Sequence, residues 1–218
     1  MPLLVGGQGW GWCRQPIRVG LMRHPVQGTW LIDTGLHPRL LGGPWWVRLF
    51  CCCLEIPPGP PQVDGLSGIF LTHLHLDHVA GLRDFPDLPI ICSRREMEGR
   101  RGYWWDLLPP DFERRVRWIE EIPQGDLFGD GSVRAIPLPG HSPGMHGLLS
   151  EQLIYAADAA GHSRILEGKA RRRLSTLIAW DRGQEAQSVA LLRQYPSHLP
   201  RILAHCPLPQ GPFERSPC

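Results

Sequence analysis

Short apolar runs punctuate this chain, separated by Gly- and Pro-rich connections, and most of them stop at a residue able to do chemistry. Runs of this length, bounded by turn-forming residues, predict buried strands rather than helices. The pattern places strands over residues 17–22, 29–32, 68–71, 133–138, 153–156 and 201–204. Asp33 follows the second, Thr72-His73 the third, Gly140-His141 the fourth, Asp158 the fifth and His205 the last. Helical periodicity is rarer. Residues 184–194 space Ala186, Val189, Ala190 and Leu192 or Arg193 at helical intervals, with Pro196 as a stop. Residues 107–121 open on Pro109-Pro110-Asp111 and repeat Phe112, Val116 and Ile119, which predicts a second helix. The Pro- and Gly-rich stretch 36–63 predicts a loop with at most one short helix. Strands mixed with surface helices point to a layered sheet-and-helix domain.

Composition narrows the classes. The 218 residues suit one domain spanning 1–218, large enough to bury a core without disulfides. A hydrophobic share of 42% and a charged share of 20% describe an ordinary globular chain. A formal charge of +2 argues against nucleic acid or an anionic membrane as the main partner. Residues 1–10 lack the basic and apolar regions of a signal peptide, and no apolar run is long enough to cross a bilayer. The seven cysteines, with Cys51, Cys52 and Cys53 consecutive, show no disulfide framework. A reducing cytoplasm is the expected compartment, with a small-molecule substrate as partner and a homodimer compatible with the chain.

The strongest chemical signal is Thr72-His73-Leu74-His75-Leu76-Asp77-His78, directly after a buried strand. If His73 and His75 continue the extended backbone, their side chains share one face. Asp77 and His78 then fall past the strand end, where a turn aims them at a second, neighbouring metal. Zinc and similar divalent ions take imidazole nitrogen and carboxylate oxygen in this way. A lone histidine is most often a packed or surface residue. A cluster of this density, joined by strand-end His141, Asp158 and His205, is not explained so simply.

This pattern resembles the metallo-β-lactamase fold superfamily, marked by His-x-His-x-Asp-His and then downstream His, Asp and His. The match runs from about Ile17 to His205 and includes Asp33 in Ile32-Asp33-Thr34-Gly35 as the early strand-end aspartate that supports the site. The resemblance implies an α/β fold, a four-layer αβ/βα sandwich of two mixed sheets between outer helices. It implies two divalent metal ions, zinc foremost, with iron, manganese or cobalt as alternatives. His73, His75 and His141 would hold one, Asp77, His78 and His205 the other, with Asp158 bridging. A hydroxide held between the ions would be the nucleophile, and Asp77 would orient it or move its proton.

Within the superfamily, the segment from Gly140 to Gly147 and the Ala204-His205-Cys206 ending most resemble the N-acyl-homoserine lactonases. The expected reaction is the opening of a neutral, apolar-tailed lactone or small ester, with promiscuity toward phosphoesters. Phosphoesterase or phosphotriesterase and glyoxalase II-like thioester hydrolase activities are the alternatives. A non-catalytic metal-binding module is the rival from another class. One departure bears on the substrate: Gly161, with His162 beside it, stands where lactonases often carry a tyrosine. His146 is expected behind the ligands. Trp104 and Trp105, with Gly161 and His162, are the expected pocket residues. Trp45-Trp46 suit either a pocket or simple packing, and Arg171-Arg172-Arg173 a solvated charge run.

Overall fold

The computed structural model describes residues 17–51, 56–169 and 179–206, and the structural statements below concern these. Residues 1–10, Cys52, Cys53 and Arg171 to Arg173, all singled out in the sequence, lie outside them. In chain order the elements are β1 (Gly20–His24), β2 (Gly28–Ile32), α1 (Trp45–Cys51), β3 (Leu66–Phe70), α2 (Leu76–Val79), β4 (Ile90–Cys92), α3 (Phe112–Arg115) and β5 (Val116–Trp118). Then follow β6 (Val133–Pro137), β7 (His146–Ser150), β8 (Ile154–Ala157), α4 (Ser163–Leu166), α5 (Arg182–Gln194) and β9 (Arg201–Leu203).

The strands form two mixed sheets, ordered β1-β2-β3-β4-β5 and β6-β7-β8-β9. In the first, β1 and β2 are an antiparallel hairpin and the remaining pairs are parallel. In the second, only β8 and β9 run parallel. Side-chain alternation splits the first sheet between two apolar clusters. Trp30, Ile32, Phe70 and Ile91 pack with the second sheet and with Val189 and Leu192 of α5. Leu31, Ile69, Leu71, Ile90 and Cys92 face the other way, onto Leu40, Val47, Val79, Leu82 and Phe112. Period-two burial on both faces is what a strand sandwiched between layers requires. No described helix is long and apolar enough to cross a membrane.

Two expectations need correction. The helix predicted over 107–121 exists only as the four-residue α3, because Val116 turns extended and pairs with β4, Ile90 opposite Val116 and Cys92 opposite Trp118. A β-branched residue and a tryptophan at a free sheet edge gain more from pairing there than from continuing a short helix. The connection after Leu36 is also more ordered than expected. A 3₁₀ turn over Pro38–Gly42 is followed by α1, which buries Val47 and Cys51. Strands β4 and β7 had no counterpart in the apolar pattern.

What matters for function is where the strands end. Parallel strands deliver their carboxyl ends to one edge, and ligands gather there. Asp33 follows β2, Thr72 and His73 follow β3, Asp158 follows β8, and His205 follows β9.

Candidate metal centre

The loop after β3 carries four of the candidate ligands. His75, with extended backbone, occupies the position just before α2, and that short helix presents Asp77 and His78. His73, His75, Asp77, His78, His141 and Asp158 are buried, and His205 is half-buried. They fall into three overlapping groups: His73, His75 and His141; His73, His78 and Asp158; Asp77, His78 and His205. Within each group the potential ligand atoms lie within 4.8 Å of one another.

Asp158 stands at the centre. Its Oδ2 is 3.0 Å from His205 Nε2, 3.3 Å from His141 Nε2, 3.4 Å from His78 Nε2 and 3.8 Å from His73 Nε2. Asp77 Oδ2 lies 3.4 Å from His205 Nε2 and 3.9 Å from His78 Nε2. His78 Nε2, His141 Nε2 and Asp158 Oδ1 are buried with no hydrogen-bond partner among the described residues. Buried polar atoms left this way are costly unless something binds them. Imidazole nitrogens and carboxylate oxygens converging from several strand ends are the donor set that divalent zinc or iron accepts, so the residues fit a metal pair.

Supporting contacts set which nitrogen points inward. Asp33, fully buried, accepts from the Thr72 backbone N–H at 2.8 Å and from the Thr72 hydroxyl at 2.9 Å. Its Oδ2 is 2.8 Å from His78 Nδ1, which leaves His78 Nε2 for the centre. The Thr72 hydroxyl is likewise 3.0 Å from His73 Nδ1. Asp33 (φ 60°) and Ala157 (φ 45°) sit in the left-handed region at the very points where the chain leaves β2 and where β8 gives way to Asp158. Strain of this kind, about 1–3 kcal/mol each, collects at functional sites.

Electrostatics separates the histidines. Burial holds His73 well below the ordinary imidazole range, and the neighbouring His78 and His75 add to it. His75 is lowered to about 3, by burial and then by His141. Burial also opposes the charge on His78 and His205, but the carboxylates win. Asp33 and Asp158 hold His78 well above its usual value, and Asp158 with Asp77 pushes His205 up to about 10. Asp77 and Asp158, despite burial, stay below the ordinary carboxylate range because His78 and His205 surround them.

Residues 15–198 match the model of the metallo-beta-lactamase superfamily. The chain belongs to that superfamily. Among curated relatives of this superfamily member, a hydroxyacylglutathione hydrolase of Shewanella denitrificans is 30% identical over 120 residues, 51% of this chain and 42% of the relative. An N-acyl homoserine lactonase, AttM of Azorhizobium caulinodans, is 33% identical over 103 residues, 41% of this chain and 39% of the relative. The chain thus spans about two fifths of the length of these relatives. A Bacillus thuringiensis AiiA variant crystallised with N-decanoyl-L-homoserine at its active site superposes with a TM-score of 0.66 at 20% identity, covering 88% of this chain and 82% of that one. TTHA1623 in a di-iron-bound form gives 0.54 at 22% identity, covering 87% of each chain. These structural likenesses establish the shared fold.

One residue of this superfamily member's site escaped sequence reasoning. Glu96, fully buried, accepts four hydrogen bonds. Oε2 takes the Leu74 N–H at 2.9 Å and the Tyr103 hydroxyl at 2.6 Å. Oε1 takes the Ser142 hydroxyl and the Gly144 N–H, each at 2.7 Å. One carboxylate therefore clamps the loop of His73 and His75 to the loop of His141. Its surroundings, Arg94-Arg95-Glu96-Met97-Glu98, have the composition of a solvated charge run, so nothing local marks Glu96. Glu96→Ala would strand four donors, so we expect a loss of about 3 kcal/mol or more. That corresponds to a Tm drop of roughly 6–12 °C for a chain of this size. Metal affinity should fall about 10- to 100-fold as both loops loosen. Thermal unfolding and metal content at wild-type values in this variant would remove the clamp from the account.

His146 belongs to the same seam. Its backbone N–H donates to Thr72 O at 3.0 Å, and its ring Nδ1 lies 2.7 Å from Gly144 O. Gly102 (φ +82°) permits another close approach: a Cβ there would come within 2.9 Å of the His75 ring. Over His75 and His141 opens a cavity of about 280 Å³, walled by Arg100, Arg101, Tyr103 and Trp180. Trp104 and Trp105 stand beside this wall, Trp105 tilted against Tyr103 at 5.2 Å between ring centroids. His162 caps α4 through Arg164 N–H, and neither it nor Gly161 lines the cavity. Trp45 projects from α1 and is 70% exposed.

Proposed function

We propose that this protein is a dinuclear-metal-dependent hydrolase that opens a lactone or small carboxylic ester. The observation that carries the reading is the position of Asp158 Oδ2, within 3.8 Å of four imidazole nitrogens from three separate segments of the chain. His73, His75 and His141 would hold one ion, Asp77, His78 and His205 the other, and Asp158 would serve both. Bound there, divalent ions supply a water acidic enough to react near neutral pH and a Lewis acid for the substrate carbonyl. The chain's own residues do the rest. Asp33 and Thr72 orient His78 and His73 through their Nδ1 atoms. Asp77 Oδ2, ionised and at the edge of the centre, orients the attacking water and carries its proton toward the departing alkoxide. The walls of the cavity restrict water and hold the acyl compound over His75 and His141.

The lactone reading is supported by the AttM relative and by a shared fold with lactonases crystallised with acyl-homoserine products. Thioester hydrolysis is the second reading, favoured by the hydroxyacylglutathione hydrolase relative. A side-by-side measurement of kcat/KM decides: acyl-homoserine lactones, S-lactoylglutathione and an aryl phosphotriester, before and after chelation. Turnover should vanish with chelator and return with zinc, cobalt, manganese or iron. A thioester or phosphotriester rate exceeding every lactone by about a hundredfold, worth about 2.8 kcal/mol of transition-state binding, would overturn the lactone reading. No metal-dependent turnover on any substrate would leave a metal-binding module without catalysis.

A further inference from the structure

The cavity over His75 and His141 has a feature that a neutral, apolar-tailed substrate does not use. Among the described residues that line it, Arg100 and Arg101 are the charged ones and none is acidic. Both arginines are exposed, and among the described residues neither has a hydrogen-bond or ion-pair partner. Several described arginines elsewhere are engaged: Arg39 pairs with Asp84, Arg94 with Glu121, and Arg115 caps backbone carbonyls of Phe85 and Leu88.

Nor is the pair on a free loop. The segment is anchored before it by Glu96, whose carboxylate holds Leu74, Ser142 and Gly144. It is anchored after it by Gly102, whose carbonyl accepts from Leu76 N–H at 2.9 Å, and by the Tyr103 hydroxyl on Glu96. The short stretch between these anchors therefore holds both residues at the mouth of the cavity, beside the loop that carries His75. On the opposite side Trp180 is held by its backbone N–H on His141 O at 3.1 Å. Two arginines without partners at one cavity mouth suit a planar anion, which a guanidinium fork binds through paired hydrogen bonds.

We propose that Arg100 and Arg101 form the recognition site for an anionic group on the substrate, a carboxylate or a phosphate, at the end remote from the bond that is cleaved. The inference rests on the hydrolase reading and replaces the neutral tail expected from the sequence with a charged one. With the reacting carbonyl over His75 and His141, the anion lies at the arginines and Trp180 covers the chain between them. The substrate is thus an acyl compound bearing a negative charge a few bonds from its carbonyl.

The test uses the metal-loaded full chain and matched esters. Mono-4-nitrophenyl glutarate and 4-nitrophenyl 4-phosphonobutyrate carry the anion, while 4-nitrophenyl pentanoate has a comparable length without it. Wild-type kcat/KM should favour the anionic esters by about tenfold or more, the equivalent of two exposed but preorganised charge contacts. The preference should shrink as salt is raised. In R100Q/R101Q the ratio of anionic to neutral ester should fall to about one, whatever the absolute rates. The larger of the two anionic preferences identifies carboxylate or phosphate as the group recognised. Equal rates on charged and neutral esters, or a preference that survives R100Q/R101Q, would overturn the proposal.

Binding separates this outcome from a failure of the hydrolase reading. Glutarate and 4-phosphonobutyrate, titrated calorimetrically into the metal-loaded protein, should bind about tenfold more weakly to R100Q/R101Q than to wild type. If no ester turns over, this difference still upholds the anion site while the hydrolase reading falls. Identical affinities would reject the site even if hydrolysis is found.

Discussion

Asp158→Ala is expected to empty both metal positions together and to abolish hydrolysis. The argument is geometric. A single oxygen of Asp158 lies within 3.0–3.8 Å of His205, His141, His78 and His73, so it faces both trios of candidate ligands. Without that anion, four imidazoles face one another across a buried space. Metal content should fall from about two ions per chain toward none, and kcat/KM by roughly 10³-fold or more. One ion retained at full occupancy would contradict the bridging role. Proton release gives an independent readout. In the metal-free protein Asp33 and Asp158 hold His78 well above its usual value, and Asp158 and Asp77 push His205 up to about 10. Both rings are then protonated at neutral pH, and each must lose its proton to bind a metal. Wild-type affinity therefore rises with pH, by up to about a hundredfold per unit where two protons leave, and the share due to His205 ends once that ring has deprotonated near pH 10. In Asp158→Ala the rings lose a principal charge partner, so fewer protons should be released on zinc addition. Calorimetry in buffers of different ionisation enthalpy measures that number directly.

Asp77→Asn should cut kcat by about 10²-fold or more while KM moves little. Burial alone would neutralise this carboxyl, but His78 and a hydrogen bond from His205 hold it ionised. Asparagine keeps the size and one acceptor oxygen and loses the charge, so it can still occupy the position but cannot carry a proton. Metal analysis must accompany the kinetics. A rate loss that tracks metal loss and is repaired by excess zinc would make Asp77 a ligand only. An unchanged rate at full metal content would take it out of the reaction altogether.

The candidate centre was legible because its largest part is local. His73, His75, Asp77 and His78 sit on one strand end and one turn, and backbone alternation alone brings the first two to one face. His141, Asp158 and His205 were legible for a related reason: each terminates or follows a short apolar run. Glu96 was not, since a lone glutamate in an arginine-rich segment becomes a buried clamp only when Leu74, Tyr103, Ser142 and Gly144 arrive around it. Arg100 and Arg101 were equally silent. Their meaning depends on Gly102 and Tyr103 fixing them beside His75, and on the cavity between them and Trp180.

Secondary structure divides along the same line. The helix over α5 followed from its apolar spacing and its proline stop, and the structure adds an Asp181 cap that accepts from the N–H groups of Gly183 and Gln184. The failed helix over 107–121 had similar spacing, but Val116 to Trp118 had a strand edge to pair with, and only the folded chain supplies that edge. By itself, then, the sequence determined the candidate donor set, the strands that end in it and the α/β class, because each depends on neighbours a few residues apart. The tertiary structure decided which nitrogens face inward, which carboxylate sits between the trios and what lines the mouth. Those depend on strand ends that meet only after two sheets have packed and brought segments from across the chain to one edge.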